Sequence, residues 1–176
     1  MTKNIPVCEP LLSARERDYL IEAFDDGWIS SGGKFNKRLE DDFSSYCNTN
    51  IGITVANGTV ALHLALIAIG INPGDQIIIP NFNGIYGAFA ICYVGGIPVF
   101  VDADNSNWNI NPLLIEEKIT SKTKAIMVTH MYGHPCDMDP IIRIANKYGL
   151  PIIEDAAEAH GATYKNRICG GLGDIG

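Results

Sequence analysis

The sequence lacks the short motifs that mark several common families of nucleotide-binding and hydrolytic enzymes. No G-x-G-x-x-G follows the first predicted strand, and neither G-x-x-x-x-G-K-[ST] nor G-x-S-x-G occurs. These glycine-rich turns hold phosphate groups or a nucleophilic serine. Their absence therefore removes the main support for a dinucleotide-binding, P-loop or hydrolase function.

Positive charge and long apolar runs are also scarce. The 13 basic residues are outnumbered by 20 acidic ones, which gives a net charge of −7, and no Lys/Arg cluster forms a stripe. No segment approaches the roughly 20 apolar residues of a membrane span, and the amino terminus lacks the apolar core of a signal peptide. We therefore expect a cytoplasmic protein that binds neither nucleic acid nor a membrane.

The cysteines and histidines do not form a recognisable metal or disulfide pattern. The five cysteines are odd in number and scattered, with no C-x-x-C pair, which favours reduced thiols. His130, His134 and Cys136 lie close together, but Gly133 and Pro135 between them indicate a turn rather than a ligand-bearing helix. We expect no bound metal.

From residue 51 onwards, short β-branched runs alternate with helical patterns. The predicted strands are 51–55, 76–80, 97–102, 125–130 and 151–155, and the predicted helices are 58–70, 85–93, 112–119 and 138–148. Several strands are apolar on both faces, as buried parallel strands are. The fold class is therefore α/β, with a mostly parallel sheet and flanking helices, followed by a hairpin around Lys165 and Asn166.

The first 50 residues have a different pattern. Ser13 and Glu16 form a capping box, which predicts a helix running to about Asp26. A glycine-containing loop at 28–34 then precedes a second amphipathic helix at 35–47. We divide the chain into an N-terminal helical segment with a substrate-side loop, residues 1–50, and an α/β domain, residues 51–176.

A polar turn between the first predicted strand and its helix is a candidate phosphate site. Gly58 lets a ligand approach the backbone, and the free amides of the helix start act together with the Thr59 hydroxyl. Asn57 has an alternative explanation, because asparagine is also a common N-cap. The turn alone does not decide between the two interpretations.

Acidic residues follow the strand predicted at 151–155. Asp155 lies at the carboxyl end of a buried strand, where α/β folds bind ligands, and is suited to hold a heteroaromatic nitrogen protonated. Glu158 is placed to meet a polar substituent of the same ring, whereas Glu154 points to the other face because side chains alternate along a strand. A salt-bridged carboxylate at a turn is the alternative for Asp155.

Three further residues are candidates for substrate contact. Trp28 and Ser31 belong to the 28–34 loop, where an indole and hydroxyls suit a sugar or a nucleotide. The alternative for Trp28 is packing against the domain. His130 follows a strand end, where it is placed to face a ligand.

The order and spacing of these segments resemble the DegT/DnrJ/EryC1/StrS family of sugar aminotransferases, and within it the perosamine synthase branch. The matching segments are Trp-Ile-Ser-Ser at 28–31, Asn-Gly-Thr-Val-Ala-Leu-His-Leu-Ala at 57–65, Pro-Gly-Asp at 73–75, Thr-Lys-Ala-Ile-Met at 123–127, His-Met-Tyr-Gly at 130–133, Cys-Asp-Met-Asp-Pro at 136–140 and Glu-Asp-Ala-Ala-Glu-Ala at 154–159.

The resemblance implies the large domain of a fold type I enzyme that uses pyridoxal 5'-phosphate (PLP) and works as a homodimer. Such an enzyme moves an amino group from glutamate to a nucleotide-linked 4-keto-6-deoxy sugar. Gly58 and Thr59, next to Asn57, then match the phosphate-binding positions. Asp155 matches the partner of the pyridine nitrogen, and Glu158 falls beside the phenolic oxygen of the ring.

Two features depart from the family pattern. The aromatic residue that stacks on the cofactor ring is replaced by Gly84, and Tyr86, two residues on, is the candidate substitute. The segment at 171–174 is not followed here by the lysine that forms the Schiff base. We therefore expect an incomplete large domain without catalytic residues of its own, which is inactive alone. The alternatives are a non-catalytic PLP- or nucleotide-binding remnant and a PLP-dependent sugar dehydratase relative.

Overall fold

The computed structural model describes Pro6 and residues 9–176. A four-stranded parallel sheet lies at its centre, in the order β2-β1-β3-β4. Its strands are β1 Gln76–Pro80, β2 Ile97–Val101, β3 Thr123–Thr129 and β4 Ile152–Asp155. Because all four strands are parallel, their carboxyl ends meet at one edge of the sheet.

Three helices of the described chain precede the first strand, and from there helices alternate with the strands as the pattern predicted. They are α1 Ala14–Asp25, α2 Lys34–Cys47, α3 Gly58–Ala68, α4 Tyr86–Tyr93, α5 Pro112–Ile115 and α6 Met138–Tyr148, with short 3-10 turns at Glu116–Lys118 and Met131–Gly133. The two strands of a small antiparallel hairpin, β5 Thr163–Tyr164 and β6 Arg167–Ile168, follow β4. The hairpin is confirmed at its predicted turn, where Lys165 and Asn166 have φ of 50° and 65°.

The sheet separates two apolar layers. On one face, β1, β3 and β4 pack against α3 and α4 through residues such as Leu66, Met127 and Ile153. On the other face, Ile126, Val128 and Ile152 pack against α5, α6 and the segment that contains Cys169 and Leu172. The side chains of neighbouring residues on β4 therefore lie in different layers, because side chains alternate along a strand.

The N-terminal helices match their predicted bounds, and the capping box at Ser13 and Glu16 is present. None of the residues of α1 is buried, and its apolar face is open, with Leu20 70% and Phe24 69% exposed. The second helix contacts the α/β part through Phe43, whose ring centroid lies 5.4 Å from that of His160.

The strand predicted at 51–55 does not form within the described residues, so that prediction is wrong here. Its apolar residues are exposed, with Ile51 at 77% and Ile53 at 67%. A strand needs a neighbouring strand to accept its backbone hydrogen bonds. Instead, the backbone N–H and the hydroxyl of Thr54 both donate to Glu40 of α2, each at 2.9 Å.

Two other predictions concern membrane spans and cysteines. Among residues 6 and 9–176, no helix combines the length and apolar character that a membrane crossing requires. Cys47, Cys92, Cys136 and Cys169 are free thiols. Cys8 lies outside the described residues.

Candidate functional site

Asp155 occupies the carboxyl end of β4 and faces the α3–α4 layer. Two residues earlier, Ile153 packs in that layer, so the alternation along the strand places Asp155 on the same face. The Asp155 side chain is half-buried. Thr129 of β3 is its partner in the sheet register. Asp155 therefore stands at the sheet edge where parallel α/β folds bind ligands, as predicted.

Among the described residues, a single hydrogen bond reaches the Asp155 carboxylate. Its Oδ1 accepts the Ala157 N–H at 3.3 Å. Burial raises the pKa of Asp155, the Ala157 amide opposes that shift, and the negative charge of Glu158 adds to it. A partly desolvated carboxylate with acceptor capacity left over is suited to bind a cationic N–H donor, which would offset both unfavourable effects.

The amino end of α3 is a capped helix start with open space over its first amides. The Asn57 side chain accepts the Val60 N–H at 3.0 Å, so the capping interpretation is correct. In the described part of the chain, no hydrogen bond engages the amides of Gly58 and Thr59. A Cβ built on Gly58 would meet nothing within 4 Å. Free amides, open space and the positive end of the helix dipole together suit a phosphate group.

Tyr86 begins α4, and its ring occupies the space beside Gly84. A Cβ built on Gly84 would overlap the Tyr86 ring, so no side chain fits at residue 84 while Tyr86 keeps this rotamer. Tyr86 as a whole remains 49% exposed. A Cβ on the adjacent Gly87 would lie 3.2 Å from the Met127 sulfur, which places the start of α4 over β3. Since Met127 pairs with Ile153, Tyr86 and Asp155 share one face of the sheet.

Glu158 lies in the turn after β4 and is exposed. Its Oε2 accepts the Tyr132 N–H at 2.7 Å, which links the turns that follow β3 and β4. Tyr132 has φ of 50°, a left-handed conformation that is uncommon outside glycine. The Glu158 carboxylate thus fixes the turn after β3 and still presents an oxygen to solvent.

His130 does not face a ligand, so the prediction that it contacts substrate is corrected. Its side chain is fully buried, on the α6 side of the sheet. The ring Nε2 lies 2.9 Å from Glu154 Oε2, and Nδ1 accepts the Cys136 N–H at 3.1 Å. With both ring nitrogens engaged and no exposed atom, the imidazole cannot reach a substrate at the sheet edge.

Trp28 and Ser31 remain in a local loop. The Trp28 ring packs over Gly32, where a Cβ would lie 2.8 Å from its Cζ3, and the indole side chain is still exposed. The Ser31 carbonyl accepts the Asn36 Nδ2–H at 2.8 Å. Neither contact joins these residues to Asp155 or to the start of α3, so their predicted role in substrate binding stays a prediction.

Sequence reasoning missed Asn109. This side chain is 1% exposed and holds the turn after β3 from a second side. Its Oδ1 accepts the Met131 N–H at 3.1 Å, and its Nδ2 donates to the His134 carbonyl at 2.9 Å. Asn109 lies in a stretch rich in asparagine, and nothing local distinguishes it from Asn107 or Asn111.

The fold and the candidate site define an α/β domain that combines open helix-start amides with a partly desolvated carboxylate at the carboxyl end of a parallel strand. A family model provides the identity. The DegT/DnrJ/EryC1/StrS aminotransferase family matches residues 10–176, so the chain belongs to that family.

Three relatives illustrate the similarity. A GDP-perosamine synthase of Escherichia coli O157:H7 is 48% identical over 98% of this chain and 48% of its own length. The structure of an aminotransferase from Psychrobacter cryohalolentis matches with a TM-score of 0.89 at 36% identity, over 93% of this chain and 42% of that one. A putative sugar aminotransferase of Streptococcus pneumoniae, solved in its PLP form, matches with a TM-score of 0.92 at 30% identity. The match covers 98% of this chain and 47% of that one.

These matches confirm the α/β fold and the family resemblance, and they support pyridoxal phosphate as the cofactor. The chain spans about half the length of the curated relatives that it matches.

Proposed function

We propose that this chain carries the cofactor-binding part of a PLP-dependent aminotransferase that acts on a nucleotide-linked 4-keto-6-deoxy sugar, in the manner of GDP-perosamine synthases. The supporting observation is that the Asp155 carboxylate, the open amides of Gly58 and Thr59, and the exposed Tyr86 ring lie at one edge and on one face of the sheet. A carboxylate, helix-start amides and an aromatic ring are the groups that a phosphorylated pyridine ring would need.

Each residue has a distinct task in this proposal. Asp155 holds the proton on the ring nitrogen, because its desolvated carboxylate favours a cationic partner. Gly58 and Thr59 bind the phosphate through their amides, and Asn57 fixes the helix start that presents them. When bound, PLP supplies a ring that withdraws electrons from the reacting carbon.

Tyr86 and Glu158 complete the cofactor side. The Tyr86 ring occupies the space beside Gly84, which has no side chain, and it would stack on the cofactor ring. Glu158 is held by the Tyr132 amide, and its remaining oxygen would lie beside the phenolic oxygen of the cofactor.

The substrate side of the proposal rests on the relatives. The names of several relatives specify GDP-perosamine or a dTDP-linked amino sugar, which supports a nucleotide-sugar substrate. We extend this to glutamate as amino donor, a homodimer in the cytoplasm, and Trp28 and Ser31 as substrate contacts. We also propose that the 176-residue chain is inactive alone, because none of its lysines matches the family's Schiff-base position.

A spectroscopic titration of the purified chain tests the proposal. The absorbance of PLP is followed as the chain is added, before and after borohydride reduction, and each sample is mapped by mass spectrometry. We expect reversible binding that weakens when pyridoxal without phosphate replaces PLP, and no reduced adduct on a lysine. Failure to bind PLP at any concentration would contradict the cofactor role. A stoichiometric adduct at one lysine would contradict the inactivity of the chain.

A second titration separates the enzyme fragment from a nucleotide-binding remnant. Calorimetry compares PLP with GDP and with a GDP-linked deoxy sugar, each added alone to the chain. If the chain has the proposed cofactor site, PLP should give a binding heat with the wild type that is lost in D155N. Binding of the nucleotides with no PLP response would favour the non-catalytic remnant instead.

A further inference from the structure

The Glu154 carboxylate, next to Asp155, is buried on the α6 side of the sheet, and none of its hydrogen bonds within the described part of the chain reaches the proposed cofactor site. Hydrogen-bond donors surround it. Its Oε1 faces the amides of Leu172 at 2.6 Å and Gly173 at 2.5 Å. Its Oε2 faces the Gly170 amide at 3.0 Å and the His130 ring at 2.9 Å. The described residues thus supply two partners to each oxygen, which saturates the carboxylate.

The hydrogen bonds around His130 fix its tautomer. The Cys136 amide can only donate, so Nδ1 must offer a lone pair to it at 3.1 Å. The ring proton of a neutral imidazole is therefore on Nε2, and it points at Glu154. A neutral histidine and an ionised glutamate satisfy every partner in the cluster.

Every neighbour of Glu154 donates, so the site requires an ionised carboxylate. Burial by itself raises the pKa of Glu154, but the bonds from His130 and from the amides of Gly173 and Gly170 outweigh burial and lower it. Glutamine has nearly the same shape, yet its amide group would direct N–H donors at one pair of these donors. Replacing Glu154 by glutamine therefore removes the charge while it nearly keeps the shape of the side chain.

The cluster is also joined to the backbone of Asp155. The His130 N–H donates to the Asp155 carbonyl at 3.1 Å, while the His130 ring bonds to the preceding side chain. The Glu154 N–H donates to the Ile175 carbonyl at 2.8 Å. Glu154 and His130 thus clamp the end of β4 between the turn after β3 and the 170–173 segment.

We propose that Glu154, acting with neutral His130, is a positioning residue that fixes Asp155 at the cofactor edge of the sheet. The identity of the ligand that Asp155 meets rests on the proposed function. The positioning itself rests on the contacts just described, so it can be tested without any ligand.

The first test is a titration of the Asp155 carboxyl in the ligand-free chain, followed by ¹³C NMR. In the wild type, burial is the largest cause that raises its pKa, the Ala157 amide and His130 oppose that rise, and the charge of Glu158 adds to it. We expect E154Q and H130N to return the Asp155 pKa toward the ordinary aspartate value, because the carboxyl loses its fixed, desolvated place. An unchanged Asp155 pKa in folded E154Q or H130N would overturn the proposal.

Two matched variants distinguish positioning from loss of stability. H130Q can still donate to Glu154 through its amide, whereas the shorter side chain of H130N can reach only the Cys136 amide. H130Q should therefore keep the wild-type Asp155 pKa better than H130N.

I141A opens a cavity in the same apolar layer, and we expect it to lower the Tm but leave the Asp155 pKa unchanged. H130N removes one of four donors and serves as the test if E154Q does not fold. A shift in I141A equal to that in H130N would overturn the proposal.

The second test uses PLP affinity at 10 °C, where the folded fraction is checked by circular dichroism. We expect E154Q to bind PLP about tenfold more weakly, which is about 1.4 kcal/mol. The double variant E154Q/D155N should bind no more weakly than D155N alone, because Glu154 acts through Asp155. A double variant that binds PLP about tenfold more weakly than D155N would contradict the proposal that Glu154 acts through Asp155. If the wild type binds no PLP, the proposed function fails, and the titration of Asp155 still decides the positioning role.

Discussion

Glu154 and Asp155 are neighbouring carboxylates on one strand in opposite environments. Glu154 is enclosed, and its two oxygens accept from Gly170, Leu172, Gly173 and His130. Asp155 is half-open and accepts only the Ala157 amide among the described residues. Their pKa values move in opposite directions, lowered for Glu154 and raised for Asp155. One residue step along β4 separates a carboxylate that protein donors enclose from one that is left partly open at the sheet edge.

The contrast shows how a sheet edge can hold two charges for two purposes. A buried charge is tolerated when protein donors saturate it, and its removal then harms folding. A buried charge that the protein leaves unsaturated is unfavourable until a ligand satisfies it. Changes at Glu154 should therefore act mainly on stability, and on ligand binding only through the placement of Asp155, whereas changes at Asp155 should act mainly on ligand binding.

The largest expected effect is that of E154Q on stability. We expect the free energy of unfolding to fall by about 3 kcal/mol at pH 7, because three amides and His130 lose an ionised acceptor. Urea unfolding measures the change, with I152V as the control on the same face of the same strand. A loss no larger than the roughly 1 kcal/mol of I152V would contradict the closed-cluster interpretation.

The effect of E154Q should depend on pH in a definite direction. The folded pKa of Glu154 is lowered, so its stabilising contribution is complete above the unfolded value of about 4.3 and disappears as pH falls through the folded pKa. The stability gap between wild type and E154Q should therefore narrow below about pH 4. A gap that is constant from pH 7 to pH 3 would show that the charge contributes nothing.

Next in size is the opposite behaviour of D155N. We expect PLP affinity to fall about 30-fold, because a charged hydrogen bond to the ring nitrogen is lost. The folded pKa of Asp155 is raised, so its ionised form destabilises the free protein as pH rises above about 3.9. The Tm of ligand-free D155N should then exceed the wild-type Tm by about 1–3 °C at pH 7, and the two should coincide at pH 3. A Tm of D155N below that of the wild type, together with unchanged PLP affinity, would contradict a role of Asp155 in ligand binding.

Tyr86 provides a smaller test of the open face. We expect Y86A to weaken PLP binding about tenfold while Y86F is nearly unchanged, because the ring and not its hydroxyl makes the contact. The double variant G84F/Y86A returns the aromatic residue to position 84, where the Tyr86 ring now prevents one. Recovery of affinity in the double variant relative to Y86A supports the substitution, and equal affinity in Y86A and wild type excludes it.

The smallest expected effect is that of G58A at the start of α3. The added methyl group meets nothing within 4 Å in the protein, so stability should stay the same or rise by less than about 1 kcal/mol. The methyl group partly fills the open space over the amides, and PLP affinity should fall about threefold. Binding of pyridoxal without phosphate is the control. An equal loss for both ligands would place the phosphate elsewhere.

The segments that the sequence predicted correctly are those with strong local signals. The capping box at Ser13, the turn at Lys165 and Asn166, and the bounds of β1 and α6 follow from cap, turn and periodicity rules. The 51–55 segment failed because β-branched composition does not supply a pairing strand. His130 failed because a position after a strand end does not specify which face the side chain takes.

The sequence by itself determined the α/β class, the family, and the two acidic positions at 155 and 158, since alternation and turn chemistry are local properties. Only the tertiary structure decided what surrounds each side chain. It enclosed Glu154 with amides from residues 170–173, which are 16 to 19 positions away in the chain, and it moved the Tyr86 ring into the space at Gly84. Such contacts join residues that are distant in sequence or depend on rotamers, so packing and desolvation determine them rather than local pattern.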